Sequence, residues 1–212
     1  MNPLTIALAL LLTLHFTGCE ETQKTPEEKF ADKCLEENNG FYCTMASVKY
    51  SQKDFERYQN KIQELDKKGC ELNNAISCRL ASSDETRNEP MRLEYRAKAC
   101  KLSITNTKPD GYEEALNTES TSGVSVMNFY QEEFVNCARL KPSDFGASES
   151  ISFDNGSLNI SEVVQSLKEN CIADTFLKDT YCSSLRYIFG DYLSKDDKVR
   201  KTKAFKETKP FY

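Results

Sequence analysis

The sequence has one histidine, no tryptophan and few glycines. The scarcity of histidine and of glycine each excludes a class of site. The histidine is His15, near the start of the chain. The eight glycines lie at least ten residues apart, so neither a dinucleotide-binding glycine loop nor a P-loop for phosphate is present. The formal net charge of −5 argues against nucleic acid as a partner.

Long apolar runs are also scarce, and the longest lies at the N-terminus. Residues 4–16 carry no formal charge, but a helix of this length is too short to cross a hydrocarbon core of about 30 Å. Such a run at the start of a chain is typical of a signal peptide. The sequence thus predicts a signal peptide over residues 1–18.

The residues that follow, Phe16-Thr17-Gly18-Cys19, resemble the lipobox of bacterial lipoproteins. The resemblance implies cleavage before Cys19, attachment of acyl chains such as palmitate to this cysteine, and a lipidated tether over residues 19–27. It also implies that the protein is anchored to a membrane of the bacterial envelope, either periplasmic or exposed at the surface. The alternative is an ordinary cleaved secretion signal in which Cys19 has no such role.

Cleavage before Cys19 leaves a mature chain without histidine, because His15 is lost with the signal peptide. Such a chain has no Ser-His-Asp triad, no Cys-His dyad and no histidine-ligated metal. We therefore expect no catalytic residues, no cofactor and no metal site.

The other eight cysteines form an even set, which in an exported chain indicates disulfides. Composition alone allows 105 pairings. Three pairs of neighbours lie 8 to 11 residues apart, and this spacing favours pairing within them. The predicted bridges are Cys34–Cys43, Cys70–Cys78, Cys100–Cys137 and Cys171–Cys182.

The segments around these cysteines have helical composition, at residues 27–37, 52–72 and 162–173. Partners 8 to 11 residues apart in one continuous helix would be separated by about 12 to 16 Å, whereas a disulfide tolerates only about 4.4 to 6.8 Å between Cα atoms. The chain must therefore reverse between the partners, and Asn38-Asn39-Gly40 and Asn73-Asn74 are suitable turns. The sequence predicts an all-α fold of disulfide-bridged antiparallel helical hairpins.

The hairpins recur with a period near 35 residues, which is typical of tetratricopeptide-like solenoids. Residues 33–43 align with residues 69–78. In both segments a cysteine is closely followed by a leucine, then by two asparagines and then by a second cysteine. This pattern resembles the SEL-type repeats of bacterial cysteine-rich secreted proteins, most clearly over residues 28–102. In that family a disulfide joins the two helices of each repeat. The resemblance implies a helical repeat domain, which we assign to residues 28–194.

Local signals predict the remaining elements. Ser51 with Asp54 predicts the start of the helix over residues 52–72, and Asp84 precedes a helix over residues 90–102. Ser161 with Glu162 predicts helix through residue 193. Two irregular loops are expected, at residues 103–125 and 141–159, as either mobile insertions or a binding surface.

Residues 195–212 are predicted to form a basic C-terminal tail. Seven lysines and arginines lie against three acids between residues 195 and 209. The cluster is either a basic handle for an anionic surface or acidic partner, or a solvated helix end.

The remaining chemistry-bearing residues favour binding over catalysis. Adjacent glutamates such as Glu36-Glu37 point in different directions on a helix and are expected to be solvated. Aromatic residues within helical segments are expected to fill the core or to line a concave face. They are Tyr50, Tyr58, Tyr95, Phe129, Tyr130 and Phe134.

We therefore expect a non-enzymatic module that binds an envelope protein or peptide, as a scaffold, inhibitor or immunity factor. The competing interpretation is a weak penicillin-binding protein or a hydrolase of β-lactams or cell-wall peptides. No serine is followed by lysine three residues later, as the serine enzymes of that class require.

Overall fold

The computed structural model describes residues 24–105, 136–173 and 177–210. The α-helices are α1 (Pro26–Glu36), α2 (Gly40–Glu71), α3 (Ala75–Ser82), α4 (Glu89–Thr105), α5 (Ile160–Ile172), α6 (Lys178–Tyr187) and α7 (Lys203–Glu207). The strands are β1 (Ser150–Phe153) and β2 (Gly156–Asn159), and the 3₁₀ turns are Cys137–Arg139, Pro142–Asp144, Gly146–Ser148, Gly190–Tyr192 and Lys198–Lys201. The fold is all-α, as expected, with one small antiparallel sheet.

Consecutive helices pack against each other as antiparallel hairpins. Helix α1 packs on α2, α2 on α3, α3 on α4, and α5 on α6. All four predicted disulfides are present, with Cα separations of 4.4 to 4.8 Å. The prediction of disulfide-bridged helical hairpins is confirmed.

The first two hairpin tips use the same pair of asparagines. The first of each pair adopts a positive φ, 49° at Asn38 and 61° at Asn73. The second caps the next helix, since Asn39 Oδ1 accepts from the Phe41 N–H and Asn74 Oδ1 accepts from the Ser77 N–H. Asparagine tolerates the left-handed region better than other side chains and is a strong N-cap, so the doublet both reverses the chain and starts a helix.

Helix α2 bends sharply at Asp54, where φ is −169° and ψ is 93°. The Asp54 carboxylate accepts a hydrogen bond from the Arg57 N–H at 3.0 Å and so caps the second arm of the helix. The second helix of the first hairpin therefore joins the first helix of the second hairpin without a loop. The prediction that Ser51 caps a helix starting at residue 52 was wrong, because the chain is already helical from Gly40 and Asp54 itself is the cap.

Helix α4 was expected from residue 90 to residue 102, and it runs from Glu89 to Thr105. Asn88 caps it, since its Oδ1 accepts from the Met91 N–H at 3.0 Å. Asp84 precedes this helix, as expected, and orders the turn before it by accepting from the Thr86 N–H at 3.0 Å.

The second expected irregular loop, over residues 141–159, is ordered, so that prediction was wrong. Two 3₁₀ turns lead into the antiparallel pair β1 and β2, in which Ile151 faces Leu158. Both of these side chains are buried, as is Phe145 before them. Of the first expected loop, residues 106–125 lie outside the described residues, while residues 103–105 end α4.

The helical region expected through residue 193 forms a hairpin bridged by Cys171–Cys182, as the cysteine spacing predicts, but it ends earlier, at Tyr187. Helix α5 ends at Ile172, α6 ends at Tyr187, and the 3₁₀ turn Gly190–Tyr192 follows. The chain then returns to the core, because Val199 and Phe205 are buried there. Residues 195–208 are therefore an integral part of the fold, which corrects the prediction of a separate tail.

The N-terminal boundary also shifts. Thr25 caps α1, and Glu27, placed in the tether by the sequence, lies in the first turn and is buried. The predicted signal peptide and Cys19 lie outside the described residues. Within the described part of the chain, no helix is both long enough and apolar enough to cross a membrane.

Apolar side chains form two large clusters with a small one between them. One cluster fills the first hairpin and the second arm of α2, and the other gathers α5, α6, the strands and the C-terminal segment. Helix α4 contributes to two of these clusters. Ala97 and Cys100 belong to the C-terminal cluster, whereas Ala99 packs with the Cys70–Cys78 bridge in the small one. An ion pair between Lys101 and Glu162 also links α4 to α5.

Candidate binding site

A cavity of about 530 Å³ lies on the inner side of the bend in α2. Both arms of α2 contribute to its wall, and the end of α3 with the turn before α4 closes the opposite side. A volume of this size lies within the range typical of ligand sites. The lining residues are Ser47, Val48, Ser51, Gln52, Phe55, Gln59, Ile62, Gln63, Asp66, Leu80, Ser83, Asp84, Glu85 and Thr86.

The bend exists because Asp54 interrupts the helix, so the cavity follows from the local sequence. A straight helix of 32 residues would carry residues 47 and 62 far apart along its axis, whereas the bent helix brings them to one cavity. Phe55, the residue after the bend, is 54% exposed although it is aromatic. The site thus combines a recessed wall with an exposed aromatic ring.

Asp66 is the most unusual lining residue. It is 6% exposed, and its Oδ1 has no hydrogen-bond partner among the described residues. Burial raises the pKa of its carboxyl to about 7, against the opposing effects of a hydrogen bond from Ser47 and the positive charge of Arg87. This side chain therefore changes its ionisation near neutral pH.

Asp84, the second acid of the cavity, is already paired. Its Oδ2 lies 2.9 Å from Nε of Arg87, and its Oδ1 accepts from Nε2 of Gln63 at 3.0 Å. Burial raises the pKa of Asp84, but hydrogen bonds from Thr86 and the charge of Arg87 outweigh it and hold the pKa below its usual range. Asp84 thus stays ionised and fixes the turn that closes the cavity.

The lining carries a negative charge. It includes three acids, Asp66, Asp84 and Glu85, and no lysine or arginine among the described residues that form it. Uncharged polar groups come from the serines, the glutamines and Thr86, while Val48, Ile62 and Leu80 supply apolar wall. The arrangement suits a ligand that has a cationic or hydrogen-bonding end and an apolar body.

A second, larger cavity of about 660 Å³ lies beside α6 and α7. Lys178, Lys203 and Lys209 line it together with Asp179 and Glu207, so its charges are mixed. Lys203 and Glu207 are largely exposed, which indicates a shallow surface feature. The cavity at the bend, with its buried carboxyl, is the stronger candidate.

The sequence-predicted residues lie mostly away from this cavity. Glu36 and Glu37 are exposed at the end of α1, as expected. Tyr50 and Tyr58 contact each other across the bend, with ring centroids 4.9 Å apart, and Tyr95 contacts Arg87. Phe129, Tyr130 and Phe134 lie outside the described residues.

Sequence reasoning missed Asp66, although a signal was present. Ile62, Leu65, Asp66 and Gly69 have the spacing of one helix face, and the other three are apolar or small. A single carboxylate within a buried face is a reason to expect a functional or strongly perturbed group.

A metal site finds no support in the described parts of the chain, where histidine, cysteine, aspartate and glutamate nowhere gather in threes. In comparisons with known proteins, no family model, no curated protein and no solved structure matches this chain.

Proposed function

We propose that this protein is a lipid-anchored binding module of the bacterial envelope that holds a peptide or protein segment without catalysing a reaction. The cavity at the bend of α2 carries the proposal, because it is recessed, combines polar and apolar groups in its lining, and is flanked by the exposed ring of Phe55. Exposed aromatic side chains beside such recesses are common anchors in protein interfaces. Cys19 would supply the membrane attachment through its acyl chains.

The repeat architecture supports the same proposal. Helical repeat arrays present extended surfaces on which partners bind, and the four disulfides hold this surface in shape outside the cell. The partner class is a protein or peptide of the envelope.

Site-specific photo-crosslinking tests the binding proposal. A benzophenone amino acid replaces Phe55 at the cavity, and in a matched control it replaces Tyr192, which is 40% exposed in the C-terminal half. Irradiation of intact envelopes should give a discrete adduct only from the Phe55 position. The adduct should disappear when Ser51→Trp fills the cavity. Equal adducts from both positions, or none from Phe55, would contradict the proposal.

The anchor is tested separately by Cys19→Ser. The unmodified protein should sediment with membranes and incorporate labelled palmitate, whereas the variant should be released and unlabelled. A variant that stays fully with the membrane would show that the attachment is not through Cys19. Incubation of the purified protein with nitrocefin, with no turnover expected, tests the competing hydrolase interpretation.

A further inference from the structure

We propose that the cavity at the bend of α2 is a subsite for a lysine side chain of the bound peptide, whose ammonium group pairs with Asp66. This inference rests on the proposed peptide-binding function and adds the chemistry of the residue that is recognised.

Asp66 is buried, and one of its carboxyl oxygens has no hydrogen-bond partner among the described residues. The carboxyl accepts a hydrogen bond from Ser47, but its Oδ1 has lost water without gaining a hydrogen-bond partner among the described residues, and this is costly. Native proteins satisfy most such groups. A ligand that donates hydrogen bonds to this carboxyl would remove the cost, which makes Asp66 a receptor for a donor.

Asp66 also differs from the other two acids of the cavity in its surroundings. Asp84 is committed to Arg87 and Gln63. Glu85 belongs to the exposed turn, where water screens its charge. Asp66 is therefore the lining carboxyl whose unpaired oxygen lies in a poorly hydrated environment, where electrostatic attraction to a cation is stronger.

The cavity also has an apolar wall. Val48, Ile62 and Leu80 line the cavity beside Asp66. A lysine side chain has a four-carbon stem that can contact such a wall while its ammonium group reaches a carboxylate. The combination of apolar wall and buried acid matches this amphipathic side chain.

Other ligand classes fit less well. An anion would meet three acids and no basic lining residue among those described. A divalent cation would find no cluster of three potential ligands in the described ranges. A purely apolar side chain would leave the Asp66 carboxyl without a partner.

The same site makes binding depend on pH. Asp66 faces Arg79 and Arg87, which favour its ionised form, and Asp84, which disfavours it, while Ser47 donates a hydrogen bond to it. Since burial raises the pKa of Asp66 to about 7, an ammonium group should bind more tightly as the pH rises from 6 to 8.

The test uses four acetylated and amidated tripeptides, Ala-Xaa-Ala, in which Xaa is lysine, arginine, norleucine or glutamate. Norleucine keeps the apolar stem and lacks the charge. Affinities for the purified, oxidised mature protein are measured by nuclear magnetic resonance, with the backbone amides of Ser47 and Ser83 as reporters. At pH 8 the lysine peptide should bind at least tenfold more tightly than the norleucine peptide.

Two variants assign the preference to the proposed group. Asp66→Asn should reduce the preference for lysine over norleucine at least fivefold, whereas Asp191→Asn, at an exposed acid of the C-terminal half, should leave it unchanged. In the unmodified protein the preference should fall at pH 5.5 in step with protonation of Asp66, followed by the ¹³C shift of its carboxyl. This second readout needs no substitution and so does not depend on the folding of a variant.

The outcomes separate this inference from the proposed function. Equal binding of the lysine and norleucine peptides, tighter binding of the arginine or glutamate peptide than of the lysine peptide, or a lysine preference that survives Asp66→Asn would overturn the inference. If the Phe55 adduct still forms in envelopes, the binding function stands without it. If neither the adduct nor any peptide shift is observed, both are refuted.

Discussion

At the residue scale, Asp66 gives the protein a pH-dependent stability with a definite sign. Its carboxyl has a usual pKa of 3.8, and burial raises the pKa in the folded protein to about 7. The folded state therefore holds this proton more tightly than the unfolded state does, and stability is lost as the pH rises through this window. Between pH 4 and pH 8 the loss should be roughly 2 to 4 kcal/mol.

Urea unfolding of the unmodified protein and of Asp66→Asn measures this effect. From pH 4 to pH 8 the unfolding free energy of the unmodified protein should fall by roughly 2 to 4 kcal/mol relative to that of Asp66→Asn, because asparagine does not ionise. Asp191→Asn serves as the control and should follow the unmodified protein at both pH values. A difference that is independent of pH would show that Asp66 is not perturbed.

Individual residues also show what could be predicted from the sequence. The asparagine doublets and cysteine spacings are local signals, and they predicted the first two hairpin tips and the three short bridges correctly. Asp54 was misassigned because Ser51 and Asp54 are both good caps, and only the continuation of the preceding helix decides between them. Asp66 escaped notice because its burial depends on α3 and the turn before α4, which are distant contacts.

At the element scale, the two helices of the second hairpin meet near its tip through residues without room for larger side chains. A Cβ atom on Gly69 would lie 2.1 Å from Oγ of Ser77 and 2.6 Å from its Cβ. Next to it, Oγ1 of Thr44 donates to Oδ1 of Asn74 at 2.9 Å and lies 2.6 Å from Oγ of Ser77. Gly69 therefore sets the distance between the two helices of the second hairpin, while the hydroxyl network of Thr44 links this hairpin to the first.

Gly69→Ala should destabilise the protein by about 1 to 3 kcal/mol, although alanine is the better helix former. The added methyl group must push α3 away from α2 or break the hydroxyl network. Lys67→Ala, at an exposed position of the same turn, should change stability by no more than about 0.5 kcal/mol.

The double variant Gly69→Ala with Ser77→Gly separates the clash from other effects of the substitution. Removing the Ser77 side chain clears the space that the methyl group needs, so the two losses should be less than additive in thermal unfolding. Additive losses would mean that the contact between Gly69 and Ser77 does not set the spacing of α2 and α3.

The β-hairpin was also missed at this scale, although Asp154-Asn155-Gly156 is a strong turn signal. Its strands have four residues each, too few for a clear alternation of apolar and polar positions. The hairpin is stable because Ile151 and Leu158 pack into the C-terminal cluster with α4 and α5, a long-range contact that local composition does not reveal.

At the scale of the whole molecule, the C-terminal segment completes the core while its positive charge stays in water. Val199 and Phe205 are buried, whereas the lysines between residues 195 and 209 are exposed. Arg186 donates to the carbonyl of Phe205 at 3.0 Å, and Arg200 donates to the carbonyls of Gly190 and Leu193. The segment thus combines a structural role, carried by apolar residues and arginines, with a basic surface made by lysines.

Separate substitutions can test these two roles. Phe205→Ala should lower the unfolding free energy by about 3 to 5 kcal/mol, because it removes a large side chain from the core.

Replacing Lys195, Lys201 and Lys209 by glutamine should change stability by less than about 1 kcal/mol, because these side chains are solvated. If the lysines form a handle for an anionic surface, the triple variant without the lipid anchor should also bind less to vesicles with anionic lipids than the unsubstituted form does, with the difference vanishing at high salt. Equal vesicle binding would assign the lysines to solvation alone, and a stable Phe205→Ala variant would contradict the integral place of this segment in the fold.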